Sequence, residues 1–378
     1  MKILQLTYES LGSPFGFGGA GMRAYEIYKR LKDRHDITIL SLKYPGSADR
    51  EIEGLKHIFV GTESKNLTKS VLAYTIRAAQ FIRRYGKNFD VIVENFLPAI
   101  PYFSRFITKT PVILQMQGIM GLHSLRKFNI LYGLPMYIVE KIYPRFYNKY
   151  IFVKEENSSQ NGTCKNAAGE IRKSKNKIYT VIPNGIDREL LHIKEEEQDY
   201  ILFLSRIDVY TKGLDILMEA FRLLAERFQN TKLILAGYEF NSTEELIKKI
   251  PVEVRNRVRY AGFISGEEKI NLLSGAKVFV LPSRHEAHPV SLLEAMACGR
   301  AVLVSDIPEL RYVDTAGAGL TFKSGSPQDL FEKLSILLKD SELRENLGNK
   351  GREYASQFLW DEMALKFERF LIEVSGKR

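Results

Sequence analysis

Cysteine is almost missing from this 378-residue chain: Cys164 and Cys298 are its only two. They lie far apart and fit no metal-ligand spacing, which excludes a disulfide framework and a Cys-based zinc site. Reduced thiols in a cytoplasmic protein are the simplest expectation. No apolar run reaches the ~18–20 residues of a membrane span. The N-terminus has Lys2 followed by only a short apolar strand, unlike a secretory signal. The N-x-[ST] triplets at Asn157, Asn161 and Asn241 are then chance matches. No metal triad, internal repeat or low-complexity tract stands out. Acidic residues are scarce in the first half. Residues 1–185 carry 28 Lys+Arg against 14 Asp+Glu, whereas residues 186–378 carry 27 against 31. A first half at +14 beside a second half at −4 points to an anionic partner for the first half. Nucleic acid and an anionic membrane surface both qualify, as does a solvated basic surface with no partner at all.

What is present is an ordinary globular composition, 45% apolar and 26% charged. The length exceeds the usual single-core limit, so two domains are expected. The most informative stretch runs from Leu281 to Val304, LPSRHEAHPVSLLEAMACGRAVLV. An apolar strand, Val278 to Leu281, stops at Pro282, which lacks the N–H a continuing strand would use. A loop follows, then a helix of good formers from Ser291 to Cys298 closed by Gly299, then a second apolar strand, Ala301 to Val304. Strand–loop–helix–strand is the unit of a parallel sheet. Glu286 sits in the loop and Glu294 one turn inside the helix. If the helix starts near Val290, after Pro289, its unpaired N–H groups and positive dipole end suit an anion.

Glu286 and Glu294, with seven residues between them and followed by Ala-Met-Ala-Cys-Gly, resemble the E-x7-E signature of retaining glycosyltransferases of the GT-B fold, the glycosyl transferases group 1 type. The two-glutamate spacing alone is weak; the string as far as AVLVSDIPE is far more specific. Ser205-Arg206…Lys212-Gly213 resembles the family's G-R-x…K-G element, with Ser205 for the usual glycine. Arg206 ends a strand and Lys212 enters a helix, so both can reach the carboxyl edge of one sheet. Two fixed cations there would hold a diphosphate and stabilise it as it leaves.

The N-terminal half resembles the family more loosely. Ile3 to Leu6 is a strand, followed by the glycine-rich loop Ser13 to Gly21, a helix from about Met22 to Lys32, and the strand Ile37 to Leu42. Gly16, Gly18 and Gly21 satisfy G-x-G-x-x-G. Yet the first strand ends near Thr7, and Ser41-Leu42-Lys43 offers no acidic residue for a ribose, which argues against a dinucleotide. The resemblance gives Gly18 and Gly19 an approach to the donor's phosphate instead. After the strand Pro111 to Met116, relatives commonly carry a histidine beside the reacting sugar. This chain has Gln117, which can hydrogen-bond a hydroxyl but cannot carry a proton at neutral pH. His123 lies nearby in sequence. Residues 121–149 mix basic and aromatic side chains, among them Arg126, Lys127, Tyr132, Lys141 and Phe146. Such a stretch suits single-stranded nucleic acid, a membrane interface, or a helix with aromatic core and solvated lysines. The segment Glu155 to Lys177 reads as a polar loop plus a short helix.

The resemblance implies an α/β fold of two Rossmann-like domains facing across a cleft that closes to exclude water. Residues 1–183 would form the acceptor-side domain and 184–357 the donor-binding domain, with 358–378 a helix returning to the first. The implied reaction moves a sugar from a UDP- or GDP-sugar to an acceptor hydroxyl of a glycan or lipid-linked substrate, as in cell-envelope polysaccharide or glycolipid synthesis. Arg206, Lys212 and Glu286 would be catalytic. Phe263, Ile264, His288, Val290, Ser291 and Glu294 would bind the donor, the backbone of Phe263-Ile264 facing the base. His288 could donate to a phosphate or pack as an aromatic. No metal or other cofactor is expected, and nucleic acid is not the expected partner. The location implied is cytoplasmic, with the basic half placing the chain on the inner membrane face. The competing readings are a non-catalytic sugar- or polyanion-binding protein on a degenerate transferase scaffold, motivated by Gln117 and Ser205, and a nucleotide-sugar epimerase of similar shape.

Overall fold

The computed structural model describes residues 1–10, 12–154 and 176–377. Cys164, Asn157, Asn161 and nearly all of the polar stretch 155–177 therefore lie outside the described residues. The chain divides into two compact units, Met1–Asn184 with Trp360–Arg378, and Gly185–Leu359.

Unit 1 is organised on an eight-stranded sheet. Its strands are β1 (Lys2–Leu6), β2 (Asp36–Leu42), β3 (Arg50–Ile52), β4 (Leu55–Val60), β5 (Val91–Asn95), β6 (Val112–Met116), β7 (Lys149–Phe152) and β8 (Ile178–Val181), in the order β3-β4-β2-β1-β5-β6-β7-β8. All neighbours run parallel except β3 and β4. Parallel strands are covered on both faces, which is why β1, β5 and β6 read as near-continuous apolar runs. The β3–β4 hairpin has little local signal, because its turn is Glu53-Gly54 rather than Asn-Gly. Both residues take positive φ, 50° and 81°.

The first helix is Gly19–Leu31, starting three residues before the expected Met22. Its cap comes from nine residues upstream: the Glu9 carboxylate accepts the N–H groups of Gly18 (3.2 Å) and Gly21. Helix Leu67–Tyr85 is capped locally, Asn66 accepting from the Lys69 N–H at 3.0 Å. The last helix, Trp360–Ser375, belongs to unit 1. Its Phe367 meets Tyr28 edge-on, and Arg30 pairs with Asp361 at 2.6 Å.

Unit 2 carries a six-stranded parallel sheet of β9 (Gln198–Leu204), β10 (Lys232–Ala236), β11 (Val258–Gly262), β12 (Ala276–Leu281), β13 (Ala301–Ser305) and β14 (Gly319–Phe322), in the order β11-β10-β9-β12-β13-β14. Phe203, Phe221, Phe279 and Met296 lie in its core. Helix Ser341–Ala355 packs against helix Val290–Ala297, an approach set by Gly348: a Cβ there would stand 2.1 Å from the Gly299 carbonyl oxygen.

Candidate functional site

In unit 2 the chain runs outward in opposite directions from the neighbours β9 and β12. The loops leaving their carboxyl ends therefore diverge around a crevice, the usual ligand position in an open parallel sheet. These loops are knitted together. The Arg284 N–H donates to the Thr211 carbonyl at 2.9 Å, and its guanidinium donates to the Tyr210 carbonyl at 2.9 Å. The guanidinium also grips both carboxylate oxygens of Asp215, at 2.8 and 2.7 Å, which raises its pKa. Gly213, at φ +65°, sits where a Cβ would be 1.9 Å from the Pro282 carbonyl oxygen. Only glycine permits that contact, so the Lys-Gly string is a spatial requirement as well as a charge.

The approach delivers Lys212 to Glu286. Lys212 Nζ lies 2.5 Å from Glu286 Oε1, and the Ser283 hydroxyl donates to the same oxygen at 2.6 Å. Both charged residues are largely shielded. Arg206, two residues beyond β9, is held by Asp208 Oδ2 at 3.2 Å and lies over the Phe240 ring at 5.3 Å. Its Nε is buried without a hydrogen-bond partner. Beside it, Gly237 at φ +135° meets Ser205, whose carbonyl oxygen would be 1.9 Å from any Cβ.

The helix after Glu286 spans Val290–Ala297, with Pro289 as its cap residue. Val290 and Ser291 are in its first turn, where N–H groups have no carbonyl behind them and the dipole is positive. Glu294 is buried within it and receives Lys269 Nζ at 2.7 Å. His288 packs as an aromatic between Tyr312 (5.9 Å) and Phe358 (5.7 Å). The Ile264 side chain is in the core, so only its backbone can serve a ligand, while the neighbouring Phe263 is exposed. Cys298 is buried, and burial pushes its thiol up to about 12, far from reactive. Among the described residues no three His, Cys, Asp or Glu side chains gather as metal ligands.

In unit 1 the glycine loop departs from expectation at Gly18, whose N–H is engaged by Glu9. Gly19 differs: nothing stands within 4 Å of where its Cβ would be. Gln117 Nε2 is buried with no hydrogen-bond partner. The structure thus brings Arg206, Lys212, Glu286, Val290, Ser291 and Glu294 into one unit, around the ends of β9 and β12. Ser283, Arg284 and Lys269 escape sequence reasoning, because each is a single polar residue whose partner is distant in the chain or sits in an irregular loop.

Residues 190–354 match the family of glycosyl transferases group 1. Over 383 aligned residues the chain is 25% identical to an uncharacterized glycosyltransferase of Methanocaldococcus jannaschii, covering 99% of this chain and 100% of that one. It is 28% identical over 242 residues to the N,N'-diacetylbacillosaminyl-diphospho-undecaprenol alpha-1,3-N-acetylgalactosaminyltransferase of Campylobacter jejuni, an alignment covering 60% of this chain and 61% of that protein. The fold is similar to that of HepE from Anabaena, solved with UDP and glucose. The TM-score is 0.73 at 19% identity, with 99% of this chain and 100% of that chain covered. The two parallel-sheet α/β units are those of the GT-B fold.

Proposed function

We propose that this chain, whose residues 190–354 belong to the glycosyl transferases group 1 family, is a retaining glycosyltransferase that moves a sugar from a UDP- or GDP-sugar to an acceptor hydroxyl. The observation that carries the reading is the Lys212–Glu286 pair at the end of β12, with Arg206 at the end of the neighbouring β9. A nucleoside diphosphate needs fixed cations, and a sugar needs fixed acceptors; the crevice supplies both.

Arg206 and Lys212 hold the diphosphate, joined by the N–H groups of Val290 and Ser291 at the helix tip. Glu286 is an acceptor-only group when ionised. With Oε1 occupied by Lys212 and Ser283, Oε2 orients a hydroxyl of the donor sugar. Glu294, steadied by Lys269, accepts from the ribose hydroxyls. The bond from the anomeric carbon to the β-phosphate oxygen breaks as the acceptor oxygen attacks from the same face. The departing phosphate oxygen takes the acceptor's proton, and the two cations neutralise the charge that develops on the diphosphate. Those cations make a metal ion unnecessary, so the reaction is metal-independent. The acceptor is a glycan or a lipid-linked glycan, a class named in the Campylobacter relative. The reaction belongs to the cytoplasm, where nucleotide sugars are held.

The test has two arms. Screening nucleoside diphosphates and their sugars for thermal stabilisation identifies the donor, since a ligand bound only by the native state raises Tm. Glu286→Gln and Arg206→Ala should then lower nucleoside diphosphate release by about 10²–10³-fold while the protein stays folded. Unchanged turnover in either variant removes the assignment.

A further inference from the structure

Helix Ile130–Ile142 leaves much of its apolar surface outward. A surface helix normally buries its apolar stripe, yet its buried positions here are Gly133 and Glu140. Gly133 presses so close that a Cβ would stand 2.8 Å from the Ser124 carbonyl oxygen. Glu140 points inward and accepts the N–H groups of Met120 (3.1 Å) and Gly121 (2.7 Å). Val139 packs partly on the core, but a second set of apolar residues looks outward: Leu131 is 78% exposed, and Leu134, Ile138 and Ile142 are exposed with it. Spaced three or four residues apart, these four lie on one face.

The helix is held firmly from behind. Asn129 caps it, accepting the Tyr132 N–H at 3.2 Å. Just past its end, the hydroxyls of Tyr143 and Tyr147 donate to the buried Glu94, at 2.7 and 2.9 Å. The apolar surface continues onto Phe146, which meets Phe106 edge-on at 5.4 Å; Phe106 is 61% exposed. Helix Leu67–Tyr85 packs against Ser104–Ile107 and adds exposed Leu72 and Ile76.

Charge says what covers this face. Between Glu94 and Glu155 the only acidic residue is Glu140, and its carboxylate is turned inward. Arg105, Arg126, Lys127, Lys141 and Arg145 fall in the same interval. A second copy of the chain would set these cations against their own kind. Single-stranded nucleic acid would meet the cations but leave the aliphatic Leu131 and Ile138 without a partner. An anionic bilayer satisfies both, taking apolar side chains into its interface and cations against its headgroups. We propose that the outward face of Ile130–Ile142, extended by Phe106 and Phe146, docks this chain on an anionic lipid bilayer with the helix lying in the interface plane. The proposal uses unit 1 side chains alone and stands apart from the donor-site reading.

The test is sedimentation of the full chain with vesicles of phosphatidylcholine, with and without 30% phosphatidylglycerol, at about 0.1 M salt and without nucleotide, a probe salt screens. The chain should bind the phosphatidylglycerol vesicles, release at 0.5 M salt, and bind phosphatidylcholine alone at least about tenfold more weakly. Leu131→Glu with Ile138→Glu should cut partitioning about tenfold or more at unchanged melting temperature, and Leu131→Ser with Ile138→Ser should weaken it in the same direction. Arg126→Glu with Lys127→Glu should lose binding only on the anionic vesicles. Ile336→Glu, an exposed apolar site of unit 2, should bind as wild type. Wild type left in the supernatant, or Leu131/Ile138 variants that bind like wild type, overturns the proposal. So does light scattering that shows a dimer broken by those variants, or single-stranded DNA binding more tightly than the vesicles.

Discussion

Glu94 is fully buried, and the hydroxyls of Tyr143 and Tyr147 donate to its carboxyl oxygens. Burial outweighs these bonds and raises its pKa from the ordinary glutamate range to about 7. A carboxyl that holds its proton more tightly folded than unfolded favours the folded state at low pH. Stability is therefore full below the ordinary glutamate pKa and falls as pH rises through about 7. A shift of that size corresponds to about 3 kcal/mol at pH 8. Glu94→Gln should remove this dependence, so urea unfolding should favour the variant increasingly between pH 5 and pH 8. A gap of constant size at both pH values would count against it. Lys269 offers a second case. It holds one oxygen of Glu294, whose carboxylate is nearly enclosed. Lys269→Met lets that carboxylate turn away and leaves its charge poorly compensated, so nucleoside diphosphate affinity should fall about tenfold, a loss of ~1.4 kcal/mol. Calorimetry showing unchanged affinity would exclude Glu294 as a ligand group.

At the scale of elements, the close approach of the β9 and β12 loops rests on Gly213. Gly213→Ala would force the Pro282 carbonyl away and strain a positive φ, so a loss of about 2–4 kcal/mol in stability is expected. Donor affinity should weaken with it because Lys212 is the adjacent residue. A variant with wild-type melting and affinity would show that the loops can part freely. The same position shows what sequence can and cannot carry. Lys212-Gly213 stands out in sequence as a charged string, but the reason for its glycine is the Pro282 carbonyl, 69 residues further along the chain. The buried strands β5, β6, β12 and β13 are legible because parallel strands demand apolar runs. The start of Gly19–Leu31 is not, because its cap, Glu9, is remote in sequence where local Ser, Thr, Asp or Asn are the usual signals. Helix Ile130–Ile142 is half legible. Its spacing says which residues share a face, but periodicity is blind to which face meets the core, and the inward Glu140 shows only in the structure.

Across the whole molecule, unit 1 is discontinuous in sequence: residues 360–377 return to it after unit 2. The returning helix buries Trp360, Met363, Phe367, Phe370 and Leu371. At its edge, Glu368 takes Arg34 at 2.9 Å and His35 at 2.6 Å. Each large apolar side chain contributes about 1.5–3 kcal/mol on burial, and a whole domain retains only ~5–15 kcal/mol of net stability. The helix is therefore a large fraction of what keeps unit 1 folded. The flanking ion pairs are partly exposed and add little by comparison. A chain ending at Leu359 should lose the unit 1 part of its melting transition and its binding to anionic vesicles. Its unit 2 core, which uses none of residues 360–377, should still gain thermal stability from a nucleoside diphosphate. Circular dichroism melts of the full and shortened chains, each with and without that ligand, separate the two effects. If the shortened chain melts as the full one does, the final helix is an ornament on unit 1 and its buried aromatic residues contribute far less than their area implies.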